Sequence, residues 1–255
     1  MSLQEVVRAP DPVAGAPSWS LGDLHLHTVY SDGMCSPEML VNAVAAEGRL
    51  RVIAITDHDT LAGNWMARDH LERFPELGER LELISGVEVS SQEGHILGLW
   101  VERDIPPGMS ASETVAAIHD QGGVAIAAHP FTFALRLLGL KGVGRAIASV
   151  PFDAVEVCNS NPTEIGGNTY TKLFNRHLGR RLPEVGGSDA HFLSVVGRTG
   201  TRFAGSTAGD LRRAIAAGTT SAFGSPWTWH LAGYLRDRRR LRRVLRERGI
   251  SLHFL

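Results

Sequence analysis

Apolar positions in this chain recur with two periods. Val52-Ile53-Ala54-Ile55-Thr56, Val124-Ala125-Ile126-Ala127-Ala128 and Ala154-Val155-Glu156-Val157 are short, nearly continuous apolar runs, as expected of strands buried on both faces. Leu24 and Leu26 alternate with His25 and His27, a period of two that carries a first strand through His27. Residues 81–90 read as a strand and 94–100 as its hairpin partner. Between strands the spacing turns helical. Ser36-Pro37-Glu38 opens a helix with an N-cap, a first-turn proline and an acid; Met39, Leu40, Ala43 and Val44 form its apolar face and Gly48 stops it. Further helices are expected over about 63–73, 112–121, 166–178 and 210–217, with a last short strand at 219–223.

Strand and helix alternate about seven times, the pattern of parallel strands with helices outside. An open sheet or a closed barrel would satisfy it. Histidines, acids and amides stand at the C-terminal ends of nearly all the strands: His25 and His27, His58, Glu88, His129, Asn159, Asp189 and His191. A barrel brings such ends to one mouth, whereas an open sheet spreads them along a line. The expectation is therefore one α/β barrel domain over 19–225. A proline-containing extension precedes it over 1–18 and an arginine-rich helix follows over 226–255.

Composition narrows the class. The 255 residues suit one large α/β domain, and a 43% hydrophobic fraction supports a proper core. A net charge of -1 argues against binding nucleic acid through bulk charge. The two cysteines, Cys35 and Cys158, form no Cys-x-x-Cys, which excludes a disulfide framework and a thiolate zinc ribbon. No apolar run reaches membrane length and no charged-then-apolar leader opens the chain, so a soluble, cytoplasmic protein without membrane contact is expected.

Eleven histidines stand out. His25 and His27 on one strand face would point the same way, which suits a cation better than a core; two histidines at a solvated strand end is the plainer reading. Glu88 lies in an apolar strand, where a carboxylate is costly unless paired or coordinating. His129 before Pro130 reads equally as ligand or turn residue. Asp23, Asp57 and Asp59 are expected to orient imidazoles. His70, His119, His177, His230 and His253 read as ordinary surface or boundary residues.

Four stretches together resemble the PHP (polymerase and histidinol phosphatase) superfamily. They are Asp23-Leu24-His25-Leu26-His27 with Ser31-Asp32-Gly33; Ile55-Thr56-Asp57-His58-Asp59; Gly86-Val87-Glu88-Val89 with Gly94-His95-Ile96-Leu97-Gly98; and Ala128-His129-Pro130 with Gly187-Ser188-Asp189-Ala190-His191. The resemblance implies a distorted (β/α)7 barrel and a centre of two or three divalent ions. His25, His27, Glu88 and Asp189 would hold the first ion. Glu88 would bridge to a second, held also by His95 and His129, and Asp32, His58 and His191 would hold a third. This nitrogen and oxygen set suits manganese, iron or zinc.

The function implied is a metal-dependent phosphoesterase acting on a small phosphomonoester, with nucleotide phosphates among the candidates. Clustered dications bind phosphate and turn a bridging water into the attacking hydroxide. Glu88, Asp189 and His191 carry the catalytic expectation, with His191 or a water on the third ion as donor to the leaving alcohol. Histidines must be neutral to ligate, so activity should fall in acid.

Arg198, Asn159, Arg136 and Lys141 are candidates for substrate contacts, and Phe131 and Phe133 for stacking a base. Each has a plain alternative as a surface or packing residue. The arginines of the last helix offer a surface for nucleic acid, but a solvated helix packed by its leucines is the favoured reading. An amidohydrolase cleaving C–N bonds also begins with His-x-His. Its usual fourth-strand lysine is absent from Ala128-His129-Pro130. A non-catalytic metal-binding module of a nucleic-acid machine is the third reading, and the full ligand set counts against it.

Overall fold

The computed structural model describes residues 18–132, 142–161, 164 and 166–224. The expected N-terminal extension up to residue 17, Phe133, Arg136, Lys141 and the arginine-rich stretch expected to form a C-terminal helix lie outside the described residues.

In chain order the elements are β1 Trp19–Asp23, α1 Pro37–Glu47, β2 Val52–Ile55, α2 Ala62–Arg73, α3 Pro75–Gly78, β3 Glu82–Ser90, β4 His95–Leu99, α4 Ala111–His119, β5 Val124–Ala127, β6 Ala154–Asn159, α5 Gly167–Arg176, β7 Glu184–Gly187, β8 Thr199–Ala204, α6 Ala208–Ala216 and β9 Ser221–Gly224. One sheet runs β7-β6-β5-β4-β3-β2-β1-β8-β9. The pairs β1–β2, β2–β3, β5–β6 and β6–β7 are parallel, while β4 runs antiparallel to both β3 and β5. The sheet curls until its ends meet. Leu26 and Ala190, just beyond β1 and β7, form a parallel bridge. Lower down, the Thr201 hydroxyl of β8 donates to the Gly186 carbonyl at 2.8 Å and accepts the Gly186 N–H at 3.0 Å. The result is a nearly closed, single-domain α/β barrel with β1 to β7 as its staves.

Side-chain alternation separates lumen from exterior. Val52, Ala54, Ile84, Leu97, Leu99, Val124, Ile126, Ala154 and Val185 pack together with Phe203 and with Leu211, Ala214 and Ile215 of α6. These residues fill the lumen, and α6 closes its floor. The intervening positions face outward: Ile53 and Ile55 meet Leu40, Val41 and Val44 of α1, while Val87, Val89, Ala125 and Ala127 meet Val115 and Ile118 of α4. Further along the inward rows come Glu88, His95 and Glu156. Each lies an even number of residues from an apolar lumen position: Ile84, Leu97 and Ala154. Apolar floor and polar mouth are therefore set by the same pleat.

Local signals explain most boundaries. Ser36 caps α1 by accepting the Met39 N–H at 3.3 Å, and Gly48 ends it in the left-handed region at φ 68°. The buried stripe is Leu40, Val41, Val44 and Ala45, shifted from the expected face, so Met39 is exposed. Capping boxes at Ser110–Glu113 and Thr207–Asp210 start α4 and α6.

The sheet departs from simple alternation in two places. A tight turn joins β3 to β4 with no helix between them, and β8 was not foreseen. Among the described residues no helix is long and apolar enough to cross a membrane.

Candidate metal centre

The first strand was expected to reach His27, but β1 ends at Asp23. His25 and His27 lie on an irregular extension held by His27 N–H to Ala190 O at 3.1 Å and Ala190 N–H to His25 O at 3.4 Å. Their rings still sit side by side, with centroids 5.1 Å apart, and both turn inward. Gly187 makes room for this. A Cβ there would lie 2.4 Å from the His25 Cβ and 2.7 Å from Glu156 Oε1.

All nine expected ligands meet at this mouth, around Glu88, which is buried to 1% exposure. Its Oε2 lies 3.1 Å from His25 Nε2, 3.2 Å from His27 Nε2 and 3.4 Å from His58 Nδ1. Its Oε1 lies 3.0 Å from His95 Nδ1 and 3.0 Å from His129 Nε2. Asp189 Oδ1 is 3.2 Å from His27 Nε2 and 3.6 Å from His25 Nε2. Asp32, half exposed at the rim, has its Oδ2 3.0 Å from His191 Nε2 and 3.8 Å from His58 Nε2.

His129 and Asp189 hold positive φ values, 26° and 52°, where non-glycine residues are strained. Strain of this kind persists where surrounding structure enforces it, commonly at functional sites.

Four imidazoles are anchored from behind. His25 Nδ1 is 3.2 Å from Glu156 Oε1. His191 Nδ1 is 3.0 Å from the Asp189 carbonyl, which only accepts. His129 Nδ1 lies 3.2 Å from the Thr132 hydroxyl, which itself donates to Glu164. His27 Nδ1 lies 3.4 Å from Ser31 Oγ, whose hydrogen goes to Asp57 at 2.7 Å. With a cation at the centre, the outward nitrogen would carry the hydrogen in each case and Nε2 would turn its lone pair inward. The inward nitrogens His25 Nε2, His27 Nε2, His58 Nδ1 and His95 Nδ1 are buried with no hydrogen-bond partner.

The field of the cluster favours positive charge. Burial lowers the affinity of His25 for a proton, but Glu88, Asp189 and Glu156 outweigh it and hold the ring well above the ordinary imidazole value. Burial is similarly overcome at His27, pushed up to about 10 by Asp189 and Glu88, and at His129, pushed up to about 9 chiefly by Glu88. Glu88 and Asp189 are held well below the carboxylate range against burial, both chiefly by His25. Protons or cations would both satisfy this field. A divalent cation also satisfies the orphaned nitrogens, and the nitrogen and oxygen donors, with no thiolate, suit one. Three-residue sets able to hold a cation, each with ligand atoms within 4.8 Å of one another, include His25-His27-Glu88, His58-Glu88-His95 and His27-Asp189-His191.

Several expectations change. Asp23 does not orient an imidazole: its carboxylate accepts backbone N–H groups of Ser188 at 2.8 Å and Gly197 at 2.8 Å. Asp57 reaches the His27 ring through Ser31 and also ties down the loop carrying Asp32, accepting the Thr28 N–H and hydroxyl at 2.7 Å each. Asp59 accepts the Ser90 N–H at 2.7 Å. Asn159 is buried, and its amide donates to Glu156 at 3.0 Å and Asp189 at 3.2 Å, so it braces carboxylates and offers substrate no free donor. Arg198 is exposed before β8, with its Nε donating to the Ser194 carbonyl at 3.2 Å.

Glu156 was missed. It takes His25 Nδ1, the Asn159 amide and the His129 backbone N–H at 2.9 Å. Its signal was available, as an acid between Val155 and Val157 in an apolar strand. Glu164 was missed too. Burial pushes it up to about 7, and no pattern in the sequence marks it.

Comparison with known proteins places this arrangement. Residues 23–176 match the PHP domain model and 179–220 match a PHP-associated model. A protein of Methanocaldococcus jannaschii, MJ1587, is 36% identical over 149 residues, covering 54% of this chain and 81% of that protein. The 5'-3' exoribonuclease Rnm of Salmonella typhimurium is 46% identical over 84 residues, covering 31% of this chain and 27% of the exoribonuclease. The chain thus spans about a quarter of that enzyme's length. Among solved structures, a two-domain protein of Bacteroides vulgatus containing a PHP-like metal-dependent phosphoesterase superposes with a TM-score of 0.61 at 19% identity. That match covers 82% of this chain and 65% of the other, and it speaks to the fold alone. The barrel, the clustered imidazoles and carboxylates at its mouth, and a domain match across most of its length agree: the chain belongs to the PHP family of metal-dependent phosphoesterases.

Proposed function

We propose that the chain hydrolyses a small phosphoric monoester, with nucleotide phosphates the favoured class, at a centre of two or three divalent ions. One observation carries the reading. The two oxygens of Glu88 face two different groups of imidazoles, His25 and His27 on one side, His95 and His129 on the other. A carboxylate so placed suits a bridge between two cations. His25, His27, Glu88 and Asp189 would hold one, His95, His129 and Glu88 another, and Asp32, His58 and His191 a third.

Bound there, manganese, iron or zinc would supply Lewis acidity and lower the pKa of a water enough to make it a nucleophile near neutral pH. The chain's own residues do the rest. Glu156, Thr132, Ser31 and the Asp189 carbonyl hold hydrogens on the outward nitrogens and so keep Nε2 lone pairs inward. Asp32, His58 and His191 form the accessible rim, where a phosphate would approach. Because the Asp189 carbonyl takes the His191 Nδ1 hydrogen, the His191 Nε2 lone pair favours ligation over proton donation to the leaving group.

The exoribonuclease relative supports a second reading, in which the ester is a terminal phosphodiester of RNA. Assaying the metal-loaded chain against sugar phosphates, nucleoside monophosphates, a generic aryl diester and a short RNA separates the two. Turnover of monoesters above diesters is the expected result; turnover of RNA alone would replace it, and turnover of no ester would overturn both.

Chelation should abolish that turnover and lower Tm by about 10 °C, since a cation at a thousand times its Kd contributes roughly 4 kcal/mol. Readdition of the metal should restore both, as read by calorimetry and phosphate release. Glu156→Gln should leave the fold intact and weaken metal affinity roughly 10- to 100-fold, as read by titration against a competing chelator.

A further inference from the structure

Glu164 is a buried carboxyl group that the proposed reaction leaves without a task. It is 4% exposed, and its backbone N–H donates to the Asn161 carbonyl at 3.0 Å. Asn161 in turn reaches Asp189 through its side-chain amide at 3.2 Å. Gly167 keeps space open for the carboxylate: a Cβ there would lie 2.5 Å from Glu164 Oε2. A carboxylate held in such a place is costly unless its partners need it.

Glu164 meets the cluster through one hydroxyl. Thr132 Oγ1 donates to Glu164 Oε1 and lies 3.2 Å from His129 Nδ1. That hydroxyl has a single hydrogen and three acceptors in reach: Glu164 Oε1, the His129 carbonyl at 2.9 Å and His129 Nδ1. A carboxylate is the strongest acceptor of the three, so the hydrogen goes to Glu164 and an oxygen lone pair turns to Nδ1. The choice matters at the other end of the ring, where His129 Nε2 is 3.0 Å from Glu88 Oε1. A ring with its hydrogen on Nδ1 presents an Nε2 lone pair to a cation there. A neutral ring that accepted the Thr132 hydrogen at Nδ1 would carry its own on Nε2 and could not ligate.

We propose that Glu164 is a positioning residue that, through the Thr132 hydroxyl, fixes the His129 tautomer able to ligate and so sets the affinity of the cation held by His95, His129 and Glu88. Glu156 stands directly behind His25, 3.2 Å from Nδ1, and Glu164 takes the corresponding place behind His129 with one hydroxyl between. This role rests on the multi-cation centre proposed above, and it gives each of the two cations bridged by Glu88 its own carboxylate outside the ligand set.

The test uses the full chain and zinc, whose equivalents are titrated against a competing chelator. Glu164→Gln should weaken one equivalent roughly tenfold or more and leave the others in place. Thr132→Val, which removes the hydroxyl at nearly the same shape, should weaken the same equivalent, and Thr132→Ser, which keeps the hydroxyl, should not. Because the carboxylate acts through the hydroxyl, Thr132→Val combined with Glu164→Gln should bind no more weakly than Thr132→Val alone. The wild-type chain offers a readout that needs no variant to fold: in nitrogen-15 spectra of the zinc-loaded protein, His129 should bear its hydrogen on Nδ1. A hydrogen on Nε2 instead, an unmoved zinc affinity in Glu164→Gln, equal weakening of every equivalent, or losses that add in the double variant would each overturn the role of Glu164, while zinc uptake itself would still support the centre. A folded chain that takes up no zinc would overturn both.

Discussion

Glu88→Ala should strip the chain of most of its metal and of its turnover together, with kcat/KM falling at least about 100-fold, or roughly 3 kcal/mol of transition-state stabilisation. The expectation follows from position. Five imidazoles, those of His25, His27, His58, His95 and His129, face this one buried carboxylate within 3.0 to 3.4 Å. No other acid in the cluster touches both the His25–His27 pair and the His95–His129 pair through separate oxygens. Losing it would disrupt two cation positions at once, whereas losing a rim ligand such as Asp32 would affect one. Glu88→Gln is the matched control for volume: it keeps the side chain's size and removes the charge. A Glu88→Ala protein that folds and carries an unaltered metal count would refute the bridging role.

Phe203→Ala should have the second largest effect, and on a different property. Phe203 is fully buried in the lumen, packed with Leu211, Ala214 and Ile215 of the helix that closes the floor. Truncating a buried phenylalanine costs roughly 3–5 kcal/mol, from lost burial and the cavity left behind. For a domain of this size Tm should fall by about 10 °C. The metal equivalents per folded chain should not change, because the apolar floor and the polar mouth are separate layers of one barrel. Thermal unfolding followed by circular dichroism, with elemental analysis of the folded protein, checks both halves. A variant that keeps its Tm but loses metal would show that the layers are not independent.

The mouth was the most legible part of the molecule in the sequence. His58, Glu88, His129 and Asp189 stand at or just past the ends of apolar runs, and a barrel leaves such ends nowhere to go but one opening. Pleat alternation then fixes Glu88 and His95 inward, because apolar lumen residues stand at even spacing along the same strands.

What was illegible has physical causes. β8 reads Thr-Gly-Thr-Arg-Phe-Ala, with one large apolar residue, and gains its place by pairing with β1 rather than from its own pattern. His129 and Asp189 turn inward through positive φ, which nothing about their residue types announces. Asn159 was rightly placed at a strand end, yet only the structure reveals that both its amide donor contacts are carboxylates. Asp23 and Asp57 were expected beside imidazoles because they flank them in sequence. Burial instead commits Asp23 to backbone N–H groups and Asp57 to the Thr28 N–H and the Thr28 and Ser31 hydroxyls, where an unpaired donor would cost free energy. Glu156 carried the same signal as Glu88 and went unread.

The central claim is that Glu88 and the eight side chains around it form a multi-cation centre. Elemental analysis of the full chain, purified without chelator and dialysed against metal-free buffer, tests it most directly. The account predicts two or three equivalents of manganese, iron or zinc per chain; a folded chain that retains none, and takes up none when manganese, iron or zinc is supplied, would contradict it.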